Sequence, residues 1–211
     1  SHYTLNLVKH LQLQYTSVIP NGIQLKHQPP AKTKATKEVQ LITVGNITQR
    51  KGQHNVIQAL PELIRKHPKL IYHCVGIPTN KQQLIQLADE LQVRDHVQFH
   101  GRVSHQKKEH LLQQADIFMM LSERTKSGDV EGFGIAILEA NQFGTPAVGS
   151  KNSGIEDAIK EGGSGRLVDS HDPDAVVQAV EQILNDYKHY SYQSTQWVKD
   201  FEWKTIIKDY H

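Results

Sequence analysis

The sequence predicts an α/β chain: a Rossmann-like parallel sheet of about six strands with helices on both faces. Three observations carry that expectation. Short apolar, β-branched runs recur between residues 39 and 168, each followed by a stretch of helical periodicity. The runs are continuously apolar rather than alternating, as strands covered on both faces are. Single helices between them imply right-handed crossovers and therefore parallel neighbours.

Residues 1–14 read as a short amphipathic helix through Leu5, Val8 and Leu11. Residues 17–23 form a β-like run closing in a Pro20-Asn21-Gly22 turn. Residues 28–37, rich in Pro, Lys and Thr, read as an exposed loop. Strands follow at 39–44, 70–75, 97–100, 117–121, 145–149 and 166–168. Helices are expected at 53–66, 81–91, 105–114, 133–142 and 155–159. Asp172-Pro173 supplies an N-cap and a first-turn proline for a helix reaching about residue 186. The tail, 187–211, holds six of the nine Tyr and Trp residues, a density that calls for a partner surface. That surface is either the sheet's own helices or a second domain.

Composition narrows the function. The chain has 211 residues, 24 basic and 22 acidic, for a net charge of +2, and no basic cluster of the kind that neutralises phosphate backbones. Nucleic acid is therefore not an expected partner. The single cysteine, Cys74, rules out an internal disulfide framework. No apolar run approaches the roughly 20 residues a membrane-spanning helix needs, and residues 1–15 have no signal-peptide core.

In open sheets of this type ligands bind beyond the carboxyl ends of the strands, so the turns after the strands are where chemistry is expected. The first strand ends in Gly45-Asn46-Ile47-Thr48-Gln49-Arg50-Lys51-Gly52. A glycine that lets a ligand approach the backbone, a helix start and two cations make this a candidate diphosphate cradle. It is neither a P-loop nor a dinucleotide fingerprint. The fourth strand leads through a long polar turn into Glu131-Gly132-Phe133-Gly134-Ile135 and an apolar helix carrying Glu139. A carboxylate among Ile135, Ile137, Leu138 and Ala140 needs a partner, and ribose hydroxyls would serve. The two acids are not a glycosidase pair. Eight helical residues rise about 12 Å, against the roughly 5–5.5 Å of a retaining pair. Two carboxylates at different depths of one pocket fit the spacing better. His100, His105 and His110 are expected to spread over strand, turn and helix, which makes a poor metal site.

These residues resemble the E-x7-E motif, Glu131 to Glu139, of the retaining glycosyltransferases of group 1 (family four), which have the GT-B fold. The resemblance runs the length of the chain. It includes Val18-Ile19-Pro20-Asn21-Gly22-Ile23, Val44-Gly45 with Lys51-Gly52, and Phe99-His100-Gly101-Arg102-Val103. It continues through Ala115-Asp116-Ile117, Gly144-Thr145-Pro146-Ala147-Val148, Gly163-Ser164-Gly165-Arg166-Leu167-Val168 and Phe201-Glu202-Trp203. It implies that Glu139 binds the ribose of a nucleotide-sugar donor and that Glu131 contacts hydroxyls of the transferred sugar. Backbone N–H groups at Phe133, Gly134 and Ile135, with Gly132 before them, would hold sugar and distal phosphate. Lys51 would neutralise the leaving diphosphate beside Gly45, and Arg102-Val103 would lie along the base. Glu131 and Lys51 are the residues to which it assigns catalysis. It implies no metal and no other cofactor.

One departure concerns Asn46. Many members have arginine there; either Arg50 replaces that charge or Lys51 acts alone. Another is length. The family has two Rossmann-like domains, and this chain matches the donor-binding one. Residues 1–16 then correspond to the last helix of an N-terminal acceptor domain, 17–186 to the donor domain, and 187–211 to an aromatic helix crossing back to the first. The resemblance implies transfer of a hexose from a UDP- or GDP-sugar to a glycan or lipid-linked acceptor. The implied setting is bacterial surface polysaccharide or lipopolysaccharide synthesis, in the cytoplasm with peripheral membrane contact. The alternatives are a non-catalytic nucleotide-sugar-binding module and a sugar-nucleotide epimerase of the same fold.

Overall fold

The structure, a computed structural model, describes residues 1–26, Lys32 and 38–210. The loop expected at 28–37 lies, Lys32 apart, outside the described residues. Lys32 itself departs from the exposed reading. Its ammonium donates to the Ala115 carbonyl, at the end of a helix, and to Thr145 Oγ1 at 3.1 Å. Burial lowers its pKa to about 8.

Six parallel strands form one sheet: β1 (Gln40–Val44), β2 (Ile71–Val75), β3 (Val97–Gly101), β4 (Ile117–Met120), β5 (Ala147–Ser150) and β6 (Gly165–Val168). Their order is β3-β2-β1-β4-β5-β6. The helices are α1 (His2–Val8), α2 (Gln53–Lys66), α3 (Lys81–Glu90), α4 (His105–Gln114), α5 (Ile135–Asn141), α6 (Pro173–Asn185), α7 (Tyr187–Trp197) and α8 (Trp203–Ile206). The expected helix at 155–159 is a 3-10 turn, Gly154–Ala158.

Adjacent residues of the central strands feed opposite cores, which explains their unbroken apolar runs. Leu41, Ile117 and Met119 pack with α2 and α6; Ile42, Phe118 and Met120 pack with α4 and α5. Every residue of β4 is buried. The starts of α4 and α6 are capped as their sequences suggest: Ser104 Oγ accepts from Lys107 N at 3.2 Å, and Asp172 Oδ1 from Ala175 N at 3.0 Å.

The tail is not one helix. After α7 the backbone makes a 3-10 turn at Val198–Phe201 and then pairs with the segment before β1. Ile23 N donates to Phe201 O at 2.8 Å and Trp203 N donates to Ile23 O at 3.1 Å. Its aromatics are only in part covered by the chain's own core. Tyr187 and Tyr190 are buried in the core, and Trp197 stacks edge-on against Phe201. Tyr192 and Trp203 are exposed.

Candidate functional site

The strand order reverses between β1 and β4, so the loops leaving these two strands diverge from one crevice. They meet backbone to backbone. Gly52 has φ +68°, and a Cβ there would stand 1.8 Å from the Leu121 carbonyl oxygen. This contact brings the turn Gln49–Lys51 against the loop that carries Glu131.

Glu131 is the centre of the resulting cluster. Its Oε2 accepts from Lys51 Nζ at 2.6 Å and from Arg50 Nη1. Arg50 Nε reaches Asp129 Oδ2 at 2.9 Å. The side chains of Lys51 and Glu131 are each 13% exposed, so this is a half-sheltered arrangement of two cations and two carboxylates. Lys51 lies across Gly45: a Cβ there would meet Lys51 Cε at 3.1 Å. Asn46 is exposed, and the second cation on Glu131 comes from Arg50.

Beyond Glu131 the chain turns through Gly132 and Phe133 to Gly134, whose φ of +87° starts α5 abruptly. Phe133 is buried against Phe201, ring centroids 5.8 Å apart, so only its backbone faces the crevice. The N–H groups of Phe133, Gly134 and Ile135 find no acceptor among the described residues. A pocket of about 480 Å³ opens here, lined by Thr4, Asn21, Lys51, Glu131, Gly134 and Ile135.

Glu139 departs from its expected surroundings. It is 29% exposed and pairs with Lys108 Nζ at 2.8 Å. Ile137, Leu138 and Ala140 face the core, but Ile135, one turn before Glu139 on the same face, is 43% exposed. Glu139 opens into a second pocket of about 340 Å³ with Lys26, His105 and Lys108. The two carboxylates therefore occupy adjacent pockets that share Ile135, not two depths of one. Val103 packs on the core and Arg102 is exposed; neither lines these pockets. His100 pairs with His73 at 2.9 Å and His105 with Glu109 at 3.1 Å, so the three histidines do not converge. Among the described residues no cluster of three or more His, Cys, Asp or Glu side chains is arranged to hold a metal.

Sequence reasoning missed Lys108 and Asp129. A lysine on a helix as polar as α4, or an aspartate in a polar turn, carries no local mark of its partner. Only the fold brings them to Glu139 and Arg50.

A Rossmann-like domain whose switch-point crevice presents paired cations, free backbone N–H groups and two carboxylates is suited to a nucleotide carrying a polyhydroxyl group. Comparison with known proteins gives the family. Residues 26–197 match the family described as glycosyl transferases group 1, and the chain belongs to that family. It is 32% identical over 170 residues to a GDP-mannose-dependent alpha-(1-6)-phosphatidylinositol monomannoside mannosyltransferase of Mycolicibacterium smegmatis, covering 78% of this chain and 44% of the relative. It is 31% identical over 195 residues to a glycogen synthase of Mycobacterium tuberculosis, covering 90% and 46%. Among solved structures, sucrose-phosphate synthase from Thermosynechococcus elongatus superposes with a TM-score of 0.81 at 21% identity, covering 100% of this chain and 55% of that one. The fold is the Rossmann-like one of GT-B glycosyltransferases. The chain spans less than half the length of these curated relatives. Among the described residues no helix is long and apolar enough to cross a membrane.

Proposed function

We propose that this chain is the donor-binding half of a retaining glycosyltransferase that moves a hexose from a UDP- or GDP-sugar to a glycan or lipid-linked acceptor. The observation that carries the reading is Glu131 held between Arg50 and Lys51 beside unpaired backbone N–H groups. When donor binds, its diphosphate takes the two cations and Glu131 turns to the hydroxyls of the transferred sugar. Lys51 and Arg50 stabilise the charge that grows on the leaving diphosphate. Glu131 orients the sugar as positive charge develops at its anomeric carbon. The acceptor hydroxyl attacks on the face from which the diphosphate leaves and gives it the proton. Glu139 exchanges Lys108 for ribose hydroxyls, and Arg102-Val103 flank the base. No metal enters this scheme, because the fixed cations stabilise the leaving group.

The acceptor would be held by a further N-terminal domain, with residues 1–16 at its junction and 187–211 crossing back to it. Work on surface polysaccharide or lipopolysaccharide at the cytoplasmic face of a membrane is consistent with this acceptor class.

Calorimetric titration of UDP, GDP and ADP into the chain, beside Glu139→Ala, tests the site. Saturable binding of one nucleotide, weakened about tenfold or more by the substitution, is expected; equal binding by both proteins sinks the ribose role. In the two-domain enzyme, Glu131→Ala should lower turnover about a hundredfold or more. Product formed without acceptor would point instead to an epimerase.

A further inference from the structure

Glu131 has a second side. It also lines a half-open pocket of about 370 Å³, distinct from that of Lys51, formed by the loops that leave β4, β5 and β6 together with α1. Tyr3, Ser122, Glu131, Lys151, Asp169 and Ser170 stand in its wall. The volume falls within the roughly 300–1,000 Å³ of small-molecule sites. The position is the carboxyl end of the sheet, where ligands of this fold bind.

The lining chemistry selects the occupant. Glu123, Glu131 and Asp169 stand against Arg124, Lys151 and His171, so no one-sided cationic patch of the kind a phosphate or polyanion requires is formed. The wall offers both donors and acceptors: the Lys151 ammonium, the remaining oxygens of Glu131, whose Oε2 holds Arg50 and Lys51, and of Asp169, whose Oδ1 accepts from His171 N at 2.9 Å, and serine hydroxyls that do both. Vicinal sugar hydroxyls, each a donor and an acceptor, match such a set. Tyr3 adds an aromatic ring. Ser122 is 2% exposed and its Oγ has no partner among the described residues. Rotation of this buried hydroxyl toward the pocket would give it the polar partner it lacks. Lys151, in the same wall, is exposed and has no ion pair among the described residues.

We propose that this cavity is a second saccharide subsite, separated from the donor pocket by the Glu131 side chain. It takes a sugar unit attached next to the reacting one; that placement rests on the reading of Glu131 as the carboxylate against the transferred sugar. One wall then serves two sugars, so the donor domain itself contributes to acceptor choice.

The test is amide chemical-shift mapping of the isotope-labelled chain during titration with maltose, with α-1,6-mannobiose and with inorganic phosphate. Saturable shifts at Tyr3, Lys151, Asp169 and Ser170 with a disaccharide, and none at 45–52, are expected. Asp169→Ala should weaken that binding at least tenfold and leave nucleotide affinity unchanged. Lys151→Ala, at an exposed position, is the second variant should the first fold poorly. No shift with either disaccharide, equal shifts in both variants, or shifts with phosphate alone would overturn the proposal. Disaccharide shifts in a chain that binds no nucleotide would support the subsite while removing the donor reading.

Discussion

At the scale of single residues, Arg50, Lys51, Asp129 and Glu131 sum to zero charge before any ligand arrives. The site stores its own counterions. Under the proposed function a nucleoside diphosphate would compete with Glu131 for the same two cations, which weakens ground-state binding. Replacing the carboxylate by its neutral isostere should separate binding from turnover. Glu131→Gln is expected to tighten UDP or GDP binding to the chain by roughly 3–10-fold, about 0.7–1.4 kcal/mol, while it depresses transfer in the two-domain enzyme. The gain should shrink as salt is raised, because the competing charges are only half sheltered. Unchanged or weaker nucleotide binding would show that Glu131 does not occupy the diphosphate's place. The cation pair shows how far the sequence could be read. Lys51, in the turn after the first strand, and Glu131, before a Gly-x-Gly helix start, stood out in the sequence as candidates. The choice between Arg50 and a lone Lys51 was not, because it depends on the reach of a side chain across two loops.

At the scale of elements, the crevice depends on how closely the β1 and β4 loops approach, and Gly52 is where they touch. Gly52→Ala combines a positive φ with a Cβ 1.8 Å from the Leu121 carbonyl. Neither can be relieved without moving backbone, so a loss of about 3 kcal/mol is expected. For a chain of this size that is a fall in Tm of roughly 6–12 °C. Gly128 also has a positive φ, +87°, but an added Cβ meets nothing within 4 Å. Gly128→Ala should cost about 1 kcal/mol, roughly 2–4 °C. Thermal unfolding of the two variants decides the matter: equal falls would mean that the loop–loop contact contributes nothing. The strands and longer helices were legible because burial on two faces and helical periodicity are written in local sequence. The broken tail was not. Its helix is interrupted where Glu202 pairs with Ile23, and a bridge between segments so far apart leaves no periodic trace. Glu139 was misjudged for a related reason: α5 is too short for its apolar neighbours to surround it.

At the scale of the whole molecule, the sheet has one patch where its polarity should register in stability. Ile71 and His73 on β2 share a face with Gln98 and His100 on β3, all at least partly exposed. There His73 Nδ1 meets His100 Nε2 at 2.9 Å, and His73 Nε2 meets Gln40 Oε1 at 2.6 Å. Burial, reinforced by His100 and Lys107, lowers the His73 pKa to about 4, and burial with Lys107 lowers that of His100. In the unfolded chain a histidine titrates near 6.5. Between these values the unfolded state binds a proton that the folded state refuses, so stability must fall as pH drops from about 6.5 towards 4. The full shift corresponds to about 3.4 kcal/mol. Water reaches this half-buried pair, and screening reduces the expected loss to about 1–2 kcal/mol. Denaturant unfolding at pH 7 and pH 5 should show wild type losing roughly 1 kcal/mol more than His73→Gln, a difference insensitive to carboxylates common to both. His100→Gln should recover a smaller part, since its proton is refused for the same reasons. If wild type and His73→Gln lose stability equally over this interval, the His73 side chain takes its proton in the folded state as freely as in water. The polar face of β2 and β3 would then be solvated rather than packed.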